Sequence, residues 1–233
     1  MLSYSFSITP SEVFKMGNDV IPLLFVAFNE TIYMVILSTL AALLLGLPLG
    51  VALVVTDKGQ IYELPGVNKV LSTMVNVFRS FPFIILIVVL LPLSRLLVGT
   101  TLGSTAAVIP LAIGSAPFLA RIIENSLKEV DWGKIEAALA MGARPGTIVR
   151  KVYIPEALPS LIRGITLAVI TITGFTAAAG AIGAGGLGSL AIRYGYMRYR
   201  DDVLVATVVV LVILVQLVQW GGNLIARRIE RKR

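Results

Sequence analysis

Apolar residues in this chain come in long blocks separated by short polar stretches, and they follow neither the alternation of a strand nor the single stripe of a surface helix. Ile32 to Thr56 is 25 residues without a charge. At about 1.5 Å per residue that crosses roughly 30 Å of hydrocarbon. Blocks of this kind predict five membrane-spanning helices over about 30–56, 70–93, 96–120, 158–180 and 203–226. Gly46, Pro48 and Gly50 predict a kinked, closely packed first helix. Residues 57–69 form a short polar loop, and Pro110 and Pro117 predict bends in the third span. Residues 1–29, with Pro10 and Pro22 as breakers and Lys15 as the only cation, predict an arm outside the bilayer or at its surface. No signal-peptide pattern is visible there. Residues 228–233 form a basic tail.

One block is interrupted. Arg79, followed by Pro82, breaks the second span, and two readings of it stand side by side. Its long side chain snorkels to the interface or packs against a helix, or it faces the protein interior and takes part in gating. Thr171, Phe175, Thr176 and Ala178 lie on the fourth span at helical spacing. They are candidates for the wall of a pathway and equally for helix packing.

The stretch from Arg121 to Arg163 is the opposite case. It holds 12 of the 33 charged residues, which keeps it out of the bilayer because a charge in lipid costs several kcal/mol. Asp131 is placed to cap a short helix, and Lys134 to Met141 are mostly good helix formers. Gly142 suits the left-handed position that ends it, and Pro145 suits the start of the next helix. Pro155 is expected to stop that second helix. A two-helix knob at the membrane surface follows.

Composition sharpens the class. With 57% hydrophobic and 14% charged residues and a mean hydropathy of +0.90, the chain is a membrane protein. It has no Cys and no His, which removes disulfides, zinc–thiolate sites, thiol nucleophiles and the commonest general base. No metal site is expected. The net charge of +7 collects at the ends of apolar blocks and so reflects topology, with no nucleic-acid partner implied.

Several residues together resemble a known family. Glu136-Ala137-Ala138, Gly142 six residues after Glu136, and Pro155 after Val152-Tyr153-Ile154 resemble the coupling loop of permease subunits in ATP-driven importers. Arg79-Ser80-Phe81-Pro82-Phe83, Pro155-Glu156-Ala157-Leu158-Pro159 and Arg193-Tyr194-Gly195-Tyr196 resemble methionine ABC importer permeases in particular. The Gly180–Gly188 phrase resembles these and also permeases for quaternary amines and phosphonates, which leaves a quaternary amine as the alternative substrate. The resemblance implies the type I ABC importer fold: an all-α polytopic membrane protein with five transmembrane helices per subunit and a cytoplasmic coupling-helix loop over 121–157. It implies a homodimer with two ATP-binding cassette ATPase subunits, a substrate-binding lipoprotein and surrounding membrane lipid. Glu136, Ala137, Ala138, Gly142, Ala143 and Arg144 would dock the ATPase.

The chain itself carries no GxxxxGK[ST] phosphate loop, since Gly133-Lys134 is followed by Ile135. ATP and Mg therefore belong to the partner ATPase, and no cofactor or catalytic site is expected here. The literal GxGxxG at Gly183, Gly185 and Gly188 ends a membrane span and reads as a tight turn, because a dinucleotide site needs a preceding strand and a later acid. An ion-coupled carrier would call for acids inside the spans and an internal repeat. An intramembrane hydrolase would call for His, Cys or a mid-span acid. Neither pattern is seen. Placing the coupling loop inside puts 15 cations on the cytoplasmic side and five outside. The cation bias thus predicts the cytoplasmic membrane with the N-terminus out and the C-terminus in.

Overall fold

The computed structural model describes residues 10–231, with side chains from Val20 onward, and those residues are helical without a strand. In chain order the helices are α1 (Pro10–Val55), α2 (Pro65–Ser80), α3 (Phe83–Val98), α4 (Ser104–Lys128), α5 (Trp132–Ala140), α6 (Pro145–Ile148), α7 (Ile154–Ala181), α8 (Gly186–Leu190) and α9 (Asp201–Glu230). π-Helical turns at Val149–Tyr153 and Ala191–Tyr196 join α6 to α7 and extend α8. Four helical stretches are long and apolar enough to cross a membrane: Val20–Val55, Ser104–Lys128, Pro145–Ala181 and Asp201–Glu230. The second expected span is α2 and α3 together, a pair bent by 104° at Phe81-Pro82. A proline after an extended residue breaks a helix there, so five crossings result only if the elbow counts as one.

Three boundaries differ from those the apolar blocks suggest. The arm expected over 1–29 is mostly helix: α1 begins at Pro10 and runs without a break through Pro22 and Pro48. Residues 1–9 of that arm, and 232–233 of the tail, lie outside the described residues. In a nonaqueous surrounding every backbone group needs an internal partner, so losing one donor at a proline costs less than ending the helix. Arg121–Lys128 belongs to α4 and not to the loop that follows. Glu30 lies ten residues inside the first apolar stretch, so an acid sits within a span after all. Its carboxylate accepts from the Gly186 N–H at 2.6 Å, and Thr31 Oγ1 accepts from the Leu187 N–H at 2.8 Å. These α1 side chains satisfy the open N-terminus of α8.

Small residues set the packing. Gly46 and Gly50 on α1 face Ala116 and Ala120 on α4, and a side chain at Gly50 would come within 2.7 Å of the Ala120 carbonyl. Such small residues four apart let two membrane helices approach closely. The glycine phrase is a turn, with Gly183, Gly185 and Gly186 all at positive φ. It brings α8 back against α7 so tightly that a Cβ on Gly188 would lie 2.3 Å from Ala177 Cα. Buried clusters run from Met34, Ile87 and Leu111 among α1, α3 and α4 down to Leu119, Ile123, Ile135 and Tyr153, where the bundle core continues into the knob.

Because backbone cannot move aside as a side-chain tip can, Gly188→Ala should destabilise the protein by about 1–3 kcal/mol. Gly174, whose added Cβ would meet nothing within 4 Å, should accept Ala without loss. Thermal unfolding of the two variants in the same detergent checks this; equal midpoints would contradict the packing argument.

Candidate functional site

Two regions hold the candidate side chains, and α4 runs between them. The first is the knob. Asp131 caps α5, its carboxylate accepting from the Gly133 N–H at 2.8 Å. At the other end Gly142 N–H bonds the Leu139 carbonyl (2.9 Å) and Ala143 N–H bonds the Ala138 carbonyl (3.1 Å). With Gly142 at φ +75°, this is a Schellman turn, which reverses the chain while closing the last free carbonyls. Pro145 opens α6. Pro155, expected to stop the second helix, does not. The π-helical turn before it hands the Ile154 N–H to the Val149 carbonyl, five residues back, and this wider register takes the proline into α7.

α5 has two faces. Ile135 and Ala138 are buried against Tyr153 and Leu127 in the core that anchors the knob. Trp132, Glu136 and Leu139 follow the adjoining helical stripe, about a quarter turn round, and are exposed, and Met141 just beyond is 80% exposed. Of the six residues expected to dock a partner, Glu136, Ala137, Gly142 and Arg144 are exposed. Ala138 is buried and Ala143 half-buried against the same core, so these two hold the helix down instead of presenting it. The exposed apolar trio of Trp132, Leu139 and Met141 was not foreseen, because spacing alone groups Trp132 and Leu139 with the buried Ile135. The Lys134–Glu156 pair (2.6 Å) adds a tie from α5 to α7, modest because both groups are partly exposed.

The knob is also lashed to the loop after α1. Lys128 Nζ lies 2.7 Å from Asp57 and 2.9 Å from Glu124, and the Tyr153 hydroxyl donates to the Gln60 side-chain carbonyl. The Lys128 hydrogen bond holds the Asp57 carboxyl below its ordinary value, against a smaller opposing effect of burial. Glu124 is buried, and its second oxygen accepts from Arg121 at 2.6 Å. Arg121 reaches on to Ser72 (3.0 Å) and Asn76 (2.8 Å) of α2. One polar cluster therefore joins the exit of α1, the middle of α2 and the last turns of α4.

The second region is a cleft of about 180 Å³ beside the α2–α3 elbow. Arg79 of α2, Phe83 of α3, Gly114 and Phe118 of α4, and Thr171 and Phe175 of α7 line it. Arg79, Thr171 and Phe175 were expected at a pathway, and the fold brings these three together. Thr176 and Ala178 do not line the cleft: Thr176 is buried with its hydroxyl on the Thr173 carbonyl at 2.7 Å, and Ala178 is half-buried. Phe83, Gly114 and Phe118 were missed. Phe83 stacks on Phe175 with ring centroids 3.6 Å apart, a contact between helices that spacing within one helix does not reveal. Among the described residues no group of three His, Cys, Asp or Glu could hold a metal.

Comparison with known proteins gives the wider setting. The model for binding-protein-dependent transport system inner membrane components matches residues 65–231. The probable D-methionine transport system permease protein MetI of Vibrio cholerae is 43% identical over 96% of this chain and 98% of its own. The methionine import system permease protein MetP of Bacillus subtilis is 49% identical over 77% of this chain and 81% of its own. A chain of the MetNI methionine ABC transporter, solved in inward-facing conformations, superposes with a TM-score of 0.88 at 47% identity. That match covers 89% of this chain and 96% of the other.

The Schellman geometry makes a local prediction. No atom lies within 4 Å of a Cβ added at Gly142, so Gly142→Ala acts only through its left-handed φ, a cost of about 1–2 kcal/mol. Amide exchange at Gly142 and Ala143 should speed up accordingly, and less so for Gly142→Asn, which tolerates that conformation. Equal effects from both would mean that the turn is not what limits exchange.

Proposed function

The chain belongs to the family of binding-protein-dependent transport system inner membrane components, and on that premise we propose that it is the permease of an ATP-driven methionine importer. It acts as a pair of identical subunits in the cytoplasmic membrane, with the N-terminus outside and the C-terminus in the cytoplasm. Two ATPase subunits dock on the two knobs, and a substrate-binding lipoprotein delivers the amino acid from outside. ATP and Mg stay with the ATPase. The observation that carries the reading is the end-to-end likeness to methionine permeases, in both sequence and helix arrangement.

The mechanism is mechanical. ATP binding draws the ATPase subunits together and moves the knobs with them. Glu136, Ala137, Gly142 and Arg144 on the exposed face, with Trp132, Leu139 and Met141, form the docking surface. Ile135 and Ala138 on the buried face pass the displacement to α4 and α7, because a close-packed core moves as a unit. The cluster of Arg121, Glu124, Lys128 and Asp57 carries it to α1 and α2. Motion of α2 and α4 against α7 then changes access to the cleft with Arg79, Thr171 and Phe175 in its wall. The alternative of a quaternary amine substrate uses the same architecture, but the methionine names of the relatives favour methionine.

ATP-dependent uptake of radiolabelled methionine into proteoliposomes tests the reading, with this chain, its ATPase and its binding protein present and glycine betaine as the competing substrate. Gly142→Pro forces a φ near −65° on a residue at +75°, a strain of about 3 kcal/mol or more, which should lower coupled uptake about a hundredfold. Glu136→Lys, an exposed charge reversal that leaves the fold intact, should weaken docking and lower uptake while ATP hydrolysis continues. Betaine uptake without methionine uptake would discard the substrate. Full methionine uptake by both variants would discard the coupling surface.

A further inference from the structure

We infer that the cleft beside the α2–α3 elbow is a binding site within the permease for one zwitterionic amino acid with an uncharged, flexible apolar side chain. Arg79 takes its carboxylate and Thr171 its ammonium. The assignment rests on the methionine reading above and supplies the site that this reading leaves open. Four observations carry it.

The first is the state of Arg79. Arg121, Arg163 and Arg200 are each paired with a carboxylate, Glu124, Glu230 and Asp202 respectively. The Arg79 side chain is exposed at a cleft lined mainly by aromatic side chains, and like Arg95 and Arg193 it has no carboxylate partner among the described residues; of these it alone lines the cleft. A cation beside apolar side chains in a membrane chain is open to an anionic ligand and is a candidate functional position. Its planar fork matches a carboxylate by two parallel hydrogen bonds.

Thr171 supplies the second. Its hydroxyl proton is committed to the Leu167 carbonyl at 2.9 Å, so what it offers the cleft is lone pairs. A hydroxyl in that state accepts from an ammonium and does nothing for a carboxylate. The two polar groups of the wall thus have opposite preferences, as the two ends of a zwitterion require.

Third, no acid lines the cleft, so a cationic side chain finds no counter-charge there. Phe83, Phe118 and Phe175 make the remaining wall apolar and aromatic, a surface that suits aliphatic carbon and the polarisable sulfur of a thioether. Fourth is size. About 180 Å³ falls below the roughly 300–1,000 Å³ of sites for drug-sized ligands, the scale of one small molecule. Gly114 helps keep that volume open, since a Cβ there would meet Phe83 Cε2 at 3.1 Å and Leu86 Cδ2 at 3.0 Å.

A quaternary amine such as glycine betaine shares the carboxylate and can place its cation over the rings. It has no N–H to give Thr171, however, and so predicts no role for that hydroxyl.

The test uses the assembled transporter in liposomes with ATP and a photoactivatable diazirine analogue of methionine as the probe, its attachment mapped by mass spectrometry. Label should fall on residues 78–86, 114–118 or 171–175 and be displaced by excess methionine. Loss of a charge-assisted hydrogen bond predicts that Arg79→Gln lowers this labelling about tenfold or more, with Arg79→Lys intermediate. Thr171→Val, nearly isosteric, should weaken labelling while leaving any competition by betaine unchanged. Co-purification of each variant with the ATPase checks its folding. Label confined to other parts of the permease, or undiminished labelling in both Arg79→Gln and Thr171→Val, would overturn the site while wild-type methionine uptake still supports the importer. Absence of methionine uptake by the wild type would instead overturn the importer reading itself.

Discussion

Glu124 is a buried carboxylate with a cation on each oxygen, Arg121 on one side and Lys128 on the other. A charge taken out of water must be paired, and a buried carboxylate left without a partner is destabilising, less so where, as with Lys128, the partner is partly solvated. Glu124 and both cations lie on α4, so the carboxylate fixes Arg121 and Lys128 in place, and these two tie α4 to its neighbours: Arg121 by hydrogen bonds to Ser72 and Asn76 of α2, Lys128 by its pair with Asp57 after α1. The arrangement makes the lower half of the bundle one mechanical piece. α4 leaves that piece in two directions, upward past Gly114 into the cleft and downward through Val130 into α5.

That geometry links the exposed knob to the cleft through packed side chains of α4 and α7. The knob has no independent core of its own: Ile135, Ala138, Ile148 and Tyr153 complete a cluster begun by Leu119, Ile123 and Leu127 of α4 and continued by Leu161 of α7. Side chains packed at interior density transmit displacement and do not absorb it. The parts that can yield lie elsewhere. The α2–α3 elbow bends by 104° at Phe81-Pro82, and a π-helical turn at Ala191–Tyr196 follows α8. Rigid coupling below and a hinge beside the cleft are what a transporter needs when force enters at one surface and access changes at another.

Long apolar blocks made the membrane class and most of the spans readable, because lipid requires continuous helix and helix in lipid requires an apolar surface. The knob was legible for a local reason: the Asp131 cap, Gly142 and Pro145 all act within a few residues of their own position. Readings failed where the compensation was distant. Glu30 and Pro22 look like breaks in a span, yet Glu30 is satisfied by Gly186, 156 residues away in sequence. Pro155 looks like a stop because the π-register that accommodates it leaves no mark in composition. Ala138 shares the docking phrase with Glu136, but helical phase turns it to the core, and the turn at Gly142 leaves Ala143 half-buried against that core. Phe83, Gly114 and Phe118 could not be chosen for the cleft, because membership depends on how α3 and α4 cross α7 and no single helix records that.

The central claim is that the exposed face of the knob is covered by the ATPase when the transporter works. The native chain has no cysteine, so Met141→Cys, at the most exposed apolar position of the knob, introduces the only thiol in the permease. The measurement is the rate at which a membrane-impermeant maleimide modifies that thiol from the cytoplasmic side, with and without the ATPase subunits. Strong protection in the assembled, transport-competent complex, lost when the ATPase is stripped away, is the predicted result. A thiol modified equally fast in both states, in a complex that still transports, would show that the partner sits elsewhere and that force does not enter through this helix.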